Sequence, residues 1–425
     1  IIEIATNKLI AGCQSTIIPE TILIIGSSAF ERCHSYKSIT IPNSVSRIED
    51  GAFRNCSSVT HVELGNRINI IAREAFKGCT ALTSIFIPGN VEIIEYYAFN
   101  GCSNLKTLTL NTGVKRIDVM AFANCTALES IFIPNSVISL GKSELCSLQS
   151  PFSGCTSLSK IVVDKQNPIF DSRDNCNAII EKNTNTLVVG CKATTIPYNI
   201  RRIGRIAFLD CTTMESLTIP NNIIEIGDRA FENCSALESI VIPDDVTYCC
   251  DTAFSKCTSL KSIVIGNGIK NIYLRGCISL QSITLGKGLE RVSFCDCTSL
   301  QHFVIPQHIT EFSFDGCSSL NSIIIPNSVT NIKSYAFRNC VSLKSISIPN
   351  SVVELEYGAF ENCSALTNID IPINVGKIHP AVFYGCSSLS SISLPAHLIE
   401  IGHSIFDFCE SLQIIRVKKK KKEEY

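Results

Sequence analysis

Twenty-three cysteines and seven histidines in 425 residues are enough to build metal centres, a disulfide framework or a nucleophilic site, so their spacing is the first question. A zinc site needs ligands a few residues apart, because side chains of one short loop must reach one ion. The cysteines are spaced otherwise. Cys33, Cys56, Cys79, Cys102 and Cys125 are each 23 residues apart, as are Cys317, Cys340, Cys363, Cys386 and Cys409. Cys211, Cys234 and Cys257 keep that step, Cys277, Cys297 and Cys317 shorten it to 20, and Cys155 completes a ladder of sixteen rungs. No rung has a C-x-x-C partner. The pattern is that of one buried position repeated, with thiols that pack as small hydrophobes and stay reduced. Side chains stacked in parallel disfavour the torsion of a bridge between neighbouring rungs.

Outside the ladder stand Cys13, Cys146, Cys176, Cys191, Cys249, Cys250 and Cys295. Cys176 and Cys191 fall in one irregular segment, where a bridge and two free thiols are both open readings. Abundant unpaired thiols in an exported protein would suit a reducing niche. The histidines, among them His34, His61, His302 and His379, are scattered without a ligand spacing. Gly266-Asn267-Gly268 and Gly286-Lys287-Gly288 lack the third glycine of a nucleotide fingerprint and read as turns. Gly141-Lys142-Ser143 echoes a phosphate loop, but Ser136 stands where that loop needs glycine. There is no G-x-S-x-G elbow. Asp171, Asp174, Asn175 and Asn177 offer oxygen ligands in a spacing unlike an EF-hand, and turn formation is the plainer reading. The sequons at Asn55, Asn124, Asn233 and Asn362 all contain a ladder cysteine and are by-products of the repeat. The expectation is a protein with no catalytic residues, no metal and no cofactor.

The elements that position these residues follow from the same ladder. Phe stands three residues before the rung in fifteen coils, with Leu274 the exception, and apolar residues follow it by three, six and eight, as in Leu343, Ile346 and Ile348. This is a strand written L-x-x-I-x-I in a repeat of 20 to 23 residues, the signature of a leucine-rich repeat. One coil cannot bury its own apolar face, so neighbours must stack and hide matching Phe, Cys, Leu and Ile columns. Pro follows the strand in ten coils, for example Pro42, Pro134, Pro326 and Pro349, where a residue without an N–H ends the ladder. The fold class is therefore a mainly β, right-handed leucine-rich-repeat solenoid with a long parallel sheet on its concave face. Irregular turns, short strands or single helical turns should occupy the other side.

The best-formed coils read IPNSVTNIKSYAFRNCVSLKSISIPNSVVELEYGAFENCSALTNIDIP. They resemble the BspA-like leucine-rich-repeat proteins, a family of microbial surface and secreted proteins, over essentially residues 1–417. The resemblance implies a cell-surface or secreted protein that binds host or microbial macromolecules, typically in adhesion.

Two insertions interrupt a single solenoid of residues 1–417. The step from Cys125 to Cys155 is 30, which places seven extra residues around 141–150. The step from Cys155 to Cys211 is 56, with an insertion at about 167–195. There Ala178–Glu181 and Thr186–Val189 flank an Asn-Thr-Asn turn and read as a β-hairpin that protrudes or replaces a coil. The first residues align with Ile179–Pro197 at a constant offset of 178, so Cys13 and Cys191 are equivalent, and the expectation is that more chain lies upstream. Position 1 is Ile, and no charged stretch leads into an apolar one there. At the far end a last strand, Leu412–Val417, runs into a charged tail, 418–425, that discourages edge pairing.

With 37 basic and 38 acidic side chains the net charge is −1, which removes the broad attraction that nucleic acid requires. No run of 18 apolar residues exists, so no membrane insertion is expected. What remains for recognition is the x positions of L-x-x-I-x-I. The middle one is mostly Ser or Thr, as in Ser38, Ser84, Thr107, Ser130, Ser239, Ser262 and Ser345. The last carries Phe86, Phe132, Val162, Val241, Val264, Val304 and Ile324, the candidate ligand-binding residues. β-branched residues favour strands in any case, whereas exposed phenylalanines point to an interface. Sixteen strands about 5 Å apart give a sheet on the order of 80 Å, suited to an extracellular or cell-surface protein or glycan. The alternative is a structural spacer or self-associating stalk of a longer repeat protein.

Overall fold

The computed structural model describes residues 1–13, 16–141 and 150–418, in two compact units, Ile1–Ser235 and Ala236–Tyr425. Each is a mainly β parallel solenoid, and the 3-10 turn Arg173–Asn175 is the only helical element among the described residues. No helix there is long and apolar enough to cross a membrane.

In the first unit the L-x-x-I-x-I segments Ser84–Ile87, Thr107–Leu110, Ser130–Ile133 and Lys160–Val163 pair in parallel, with equivalent residues of successive coils opposite one another. Ser84, Phe86, Thr107, Thr109, Ser130 and Phe132 face out while Ile85, Ile87, Leu108, Leu110, Ile131 and Ile133 face in, as the two-residue period of a strand demands. Ser38–Thr40 and His61–Glu63 form a further pair of the same kind. The strand face ends at Val163. Its N–H, which would reach the next coil, donates to Ser172 Oγ of the long insertion at 2.9 Å, and residues 212–220 form no strand despite carrying the pattern.

Each coil also contributes a second strand of only two residues, so Arg47–Ile48, Ile70–Ile71, Ile93–Ile94, Arg116–Ile117 and Ser139–Leu140 build a second parallel sheet. These short strands occupy the side for which the sequence left turns, strands and helical turns open. Ile48, Ile71, Ile94 and Ile117 from this sheet are fully buried. The third side is a turn around the Phe position, whose N–H donates to an Ala carbonyl of the following coil, as in Phe30 to Ala52 at 2.7 Å and Phe53 to Ala75 at 2.8 Å. The residue before the rung takes a left-handed backbone, with φ of 60° at Asn55, 58° at Asn124 and 72° at Gly78. Asn and Gly tolerate that region at least cost, which accounts for the Asn-Cys and Gly-Cys pairs along the chain.

Inside, Phe30, Phe53, Phe76, Phe99, Phe122 and Phe152 form one stack with centroids 5.0 to 5.8 Å apart and planes within 9° of parallel. Phe53, Phe76 and Phe99 thus share a column, as equal coils require. Burying each ring contributes about 1.5–3 kcal/mol. Beside it runs the cysteine column. Thirteen ladder thiols donate to the carbonyl oxygen of the Phe, or of Leu274, in the preceding coil at 3.0 to 3.4 Å, among them Cys56 to Phe30 and Cys102 to Phe76. A residue here must be small, apolar enough to bury and able to give one hydrogen bond, and cysteine meets all three demands.

The second unit repeats this plan. Phe314, Phe337, Phe360, Phe383 and Phe406 stack at 5.2 to 6.1 Å. In the 20-residue coils the second strand runs almost directly into the Phe position, the Phe294 and Phe314 rings lie at 63° to each other, and Phe303 and Phe312 pack into the same cluster. The strand Ile414–Lys418 pairs in parallel with Ser391–Pro395, and tail residues 419–425 lie outside the described residues.

The long insertion forms the expected hairpin, Ile179–Glu181 against Thr186–Val189, with a third antiparallel strand, Phe170–Asp171, that the sequence did not announce. It replaces a coil: Thr186–Val189 pairs in parallel with Arg202–Ile203, as successive coils do. The offset of 178 holds in three dimensions. Ile2–Glu3 and Lys8–Leu9 repeat the hairpin, Lys8 and Leu9 pair with Ile24 and Ile25, and Gly12 N–H donates to Ala29 while Gly190 N–H donates to Ala207, both at 2.8 Å. In each copy a glycine stands where the column would carry its next Phe. A β-carbon on Gly12 would lie 1.9 Å from the Phe30 ring, and one on Gly190 2.1 Å from the Phe208 ring. The shorter insertion, 141–150, lies outside the described residues except for its two ends.

Candidate functional site

Most ladder thiols are buried in the core. Among the described residues Cys176, Cys191 and the buried ladder cysteines Cys56, Cys79, Cys102 and Cys125 are thiols, not disulfides. Burial pushes the Cys102 and Cys155 thiols up to about 12, so near neutral pH they carry no thiolate. Cys176 and Cys191 are both buried and unbridged; Cys191 donates to Asn177 O at 3.3 Å. Among the described residues no group of three or more His, Cys, Asp or Glu side chains is placed to hold a metal ion. Asp171 is held by Arg173 at 2.6 Å, and Asp174, Asn175 and Asn177 have φ of 51° to 56°, the behaviour of turn formers. Asn55, Asn124, Asn233 and Asn362 serve as left-handed turn residues, and Asn362 Nδ2 also donates to Asn339 Oδ1 at 3.0 Å.

The strand faces carry the remaining candidates. In the first unit Phe86 is opposite Thr109, Thr107 is opposite Ser130, and Phe132 is opposite Val162, so one row reads Phe86, Thr109, Phe132, Val162. Phe86 is 54% exposed and Phe132 46%. Val162 departs from the expectation of a fully exposed row: it is half-buried, at the end of the sheet where the insertion follows. The parallel row of Ser84, Thr107 and Ser130 is exposed and uncharged. In the second unit Val241 lies opposite Val264, Val264 opposite Thr284, and Val304 opposite Ile324; all four apolar side chains are exposed. Along this face His302 bonds Ser322 at 2.6 Å, and the exposed Lys261 pairs with Glu238 at 2.8 Å.

A different kind of surface lies on the Phe-turn side of the first unit, where Arg54 joins Glu31 at 2.9 Å and Glu74 at 2.7 Å, and Lys77 joins Glu74 at 3.0 Å beside the Tyr97 ring. The sequence reading missed this charged ladder. Its signal was present in the opposite charges of Glu31 and Arg54, which are 23 residues apart. These charges are used on one another, so they fix coils more than they advertise to a partner.

A leucine-rich repeat protein from Bacteroides ovatus is 27% identical with a TM-score of 0.51, the match covering 94% of this chain and 88% of that one. A leucine-rich repeat protein from Eubacterium ventriosum is 24% identical over 80% of this chain and 79% of that one, with a TM-score of 0.47. A leucine rich cell surface protein from Faecalibacterium prausnitzii is 24% identical over 95% of this chain and 78% of that one, with a TM-score of 0.39. Among curated proteins none matches the chain. The pattern of the BspA type leucine rich repeat region matches in six copies, over residues 10–92, 69–181, 178–301, 274–313 and 307–423. With its coils, its paired sheets and its Phe and Cys columns all repeated in that register, the chain belongs to the BspA-type leucine-rich-repeat family.

Proposed function

We propose that this chain is a recognition module of a cell-surface or secreted protein, and that it meets an extracellular macromolecule through the exposed face of its L-x-x-I-x-I strands. The observation that carries this reading is the row of Phe86 and Phe132, large aromatic side chains about half exposed on a strand face that is otherwise polar, with Ser84, Thr107, Thr109 and Ser130 beside them and the exposed charges of Lys106, Glu129 and Lys160 at its margin. Large apolar side chains held in water raise the free energy of the unbound state, and a partner that covers them recovers about 25 cal/mol for each Å² removed from solvent. Family membership supports the location, since the resemblance to BspA-like proteins implies a surface or secreted protein.

Adhesion, not catalysis, is the activity this reading assigns. Its support is chemical: the Cys102 thiol is protonated and donates to the Phe76 carbonyl, and the strand faces present hydroxyl and apolar groups with scattered charges such as Lys160 and the Lys261–Glu238 pair. The test is capture of purified extracellular-matrix and cell-surface proteins by the chain, beside a Phe86→Ala, Phe132→Ala double variant. The wild type should capture at least one protein that the double variant loses. Equal capture by both would clear these residues of the role.

A further inference from the structure

Phe86 and Phe132 sit two coils apart with Thr109 between them in register. The step from coil to coil is measured in the core just beneath, where Phe76, Phe99 and Phe122 of the same three coils stack at 5.2 and 5.1 Å with planes within 7° of parallel. The outer row therefore copies the inner column with its middle ring left out. Thr109, exposed and short, forms the floor of a gap one ring wide. Among the described residues neither Phe86 nor Phe132 makes a ring contact of its own, so the two have not folded over to close it. The residues that line the gap, Ser84, Thr107, Thr109 and Ser130, are neutral, and the nearest exposed charges on the face, Lys106, Glu129 and Lys160, are of both signs, so no net charge of one sign is offered to a carboxylate, phosphate or ammonium group.

We infer that the slot between Phe86 and Phe132, over Thr109, receives one planar aromatic side chain of a polypeptide partner and completes a three-ring stack. This rests on the sheet-face reading above and names the chemistry that the face recognises. A ring inserted there would meet a ring on either side at the spacing that the core already uses, a separation within the range at which aromatic pairs attract. The flanking hydroxyls of Thr107 and Thr109 suit a ring that also carries a hydrogen-bonding edge, as tyrosine and tryptophan do.

The chain contains no tryptophan, so the fluorescence of an indole probe reports binding without background. The full chain is titrated into N-acetyl-tryptophanamide, and a saturable blue shift is expected. Thr109→Phe fills the slot from within and should weaken the probe at least about tenfold, as should the Phe86→Ala, Phe132→Ala variant, whereas Thr109→Ala should stay within about twofold of wild type. Unfolding midpoints of all variants should match, because all three positions face solvent. No saturable shift with the wild type, or undiminished binding by Thr109→Phe, overturns the inference. So does displacement of the probe by N-acetylglucosamine at lower concentration than by N-acetyl-tyrosinamide, which would make the slot a sugar site. A double variant that loses captured proteins while Thr109→Phe keeps them would sink the slot and leave the face; retention by both would sink the face itself.

Discussion

The side-chain amide of Asn167 donates to the carbonyl oxygen of Pro134 at 2.9 Å, fastening the start of the long insertion to a turn 33 residues earlier. The same amide donates to Val137 O at 2.8 Å, and Asn167 Oδ1 accepts from the N–H groups of Ile169 and Phe170 at 2.9 and 2.8 Å. With 1% of its surface exposed, Asn167 has all four of its bonds inside the protein. Asn167→Ala strands the Val137 carbonyl and the N–H groups of Ile169 and Phe170, and leaves the Pro134 carbonyl with the Val137 N–H alone; it should cost about 2–5 kcal/mol, read by urea unfolding. Asn167→Asp should be as damaging, because a carboxylate cannot donate to Pro134 and Val137. A change below about 0.5 kcal/mol in either would show that water replaces the amide.

Phe99 has a stacked ring on each side, whereas Phe406 has Phe383 on one side only and is partly exposed. Phe99→Ala should lower stability by about 3–5 kcal/mol, the range for emptying a buried aromatic site. Phe406→Ala should cost clearly less. Equal losses would mean that the column does not act through neighbouring rings.

Alkaline pH should unfold the protein. Burial holds Cys56, Cys102 and Cys155 at about 12, above the 9.0 of an unperturbed thiol. Between those values the unfolded chain gives up protons that the folded chain keeps, so stability is full below about pH 9 and falls as pH rises toward 12. Each such thiol steepens the fall by up to about 1.4 kcal/mol per pH unit. Cys13, which is exposed, should react with a thiol reagent in the native state well before the ladder does. Denaturation curves from pH 7 to 11 and timed labelling with peptide mapping check both; a flat stability profile would contradict the account.

Gly190→Ala drives a β-carbon into the Phe208 ring and should cost about 1–3 kcal/mol, with faster amide exchange around Gly204 and Ala207. Gly204→Ala meets the backbone of Leu187 at 2.8 Å and gives a second variant at the same junction. Wild-type exchange in both would show that the Phe208 ring and the Leu187 backbone both yield freely.

The strand-face pair should separate binding from folding. Phe86→Ala and Phe132→Ala remove side chains about half in water, so together they should shift the unfolding free energy by no more than about 1 kcal/mol while abolishing capture of a partner. A large loss of stability would place these rings in the core's service instead.

Much of this architecture is legible because stacking forces identity. A Phe, Cys, Leu or Ile that faces the same residue in two neighbouring coils cannot change alone, so Phe76 and Cys79 recur 23 residues on as Phe99 and Cys102. The hairpin was legible from Ile179 and Thr186 for the ordinary reasons of strand composition and a turn. Other features leave weaker traces. A two-residue strand such as Arg47–Ile48 is too short for alternation to show. Asn167 acts once and so has no period. The strand face is legible as a set of positions, since Phe86 and Phe132 stand where side chains must point outward. Its partner is not, because nothing inside the protein constrains what an outward side chain becomes.

The thiol of Cys79 reaches back to Phe53, and almost every bond between coils spans a similarly short stretch of sequence. A ribosome needs roughly one to five seconds to make a coil of that size. Each new coil thus emerges beside a finished template whose Phe carbonyl is already in place, and it never waits for a distant segment still unmade. Synthesis and assembly can run in the same direction at the same pace, so that lengthening such an array adds nothing to the search its nascent chain must perform.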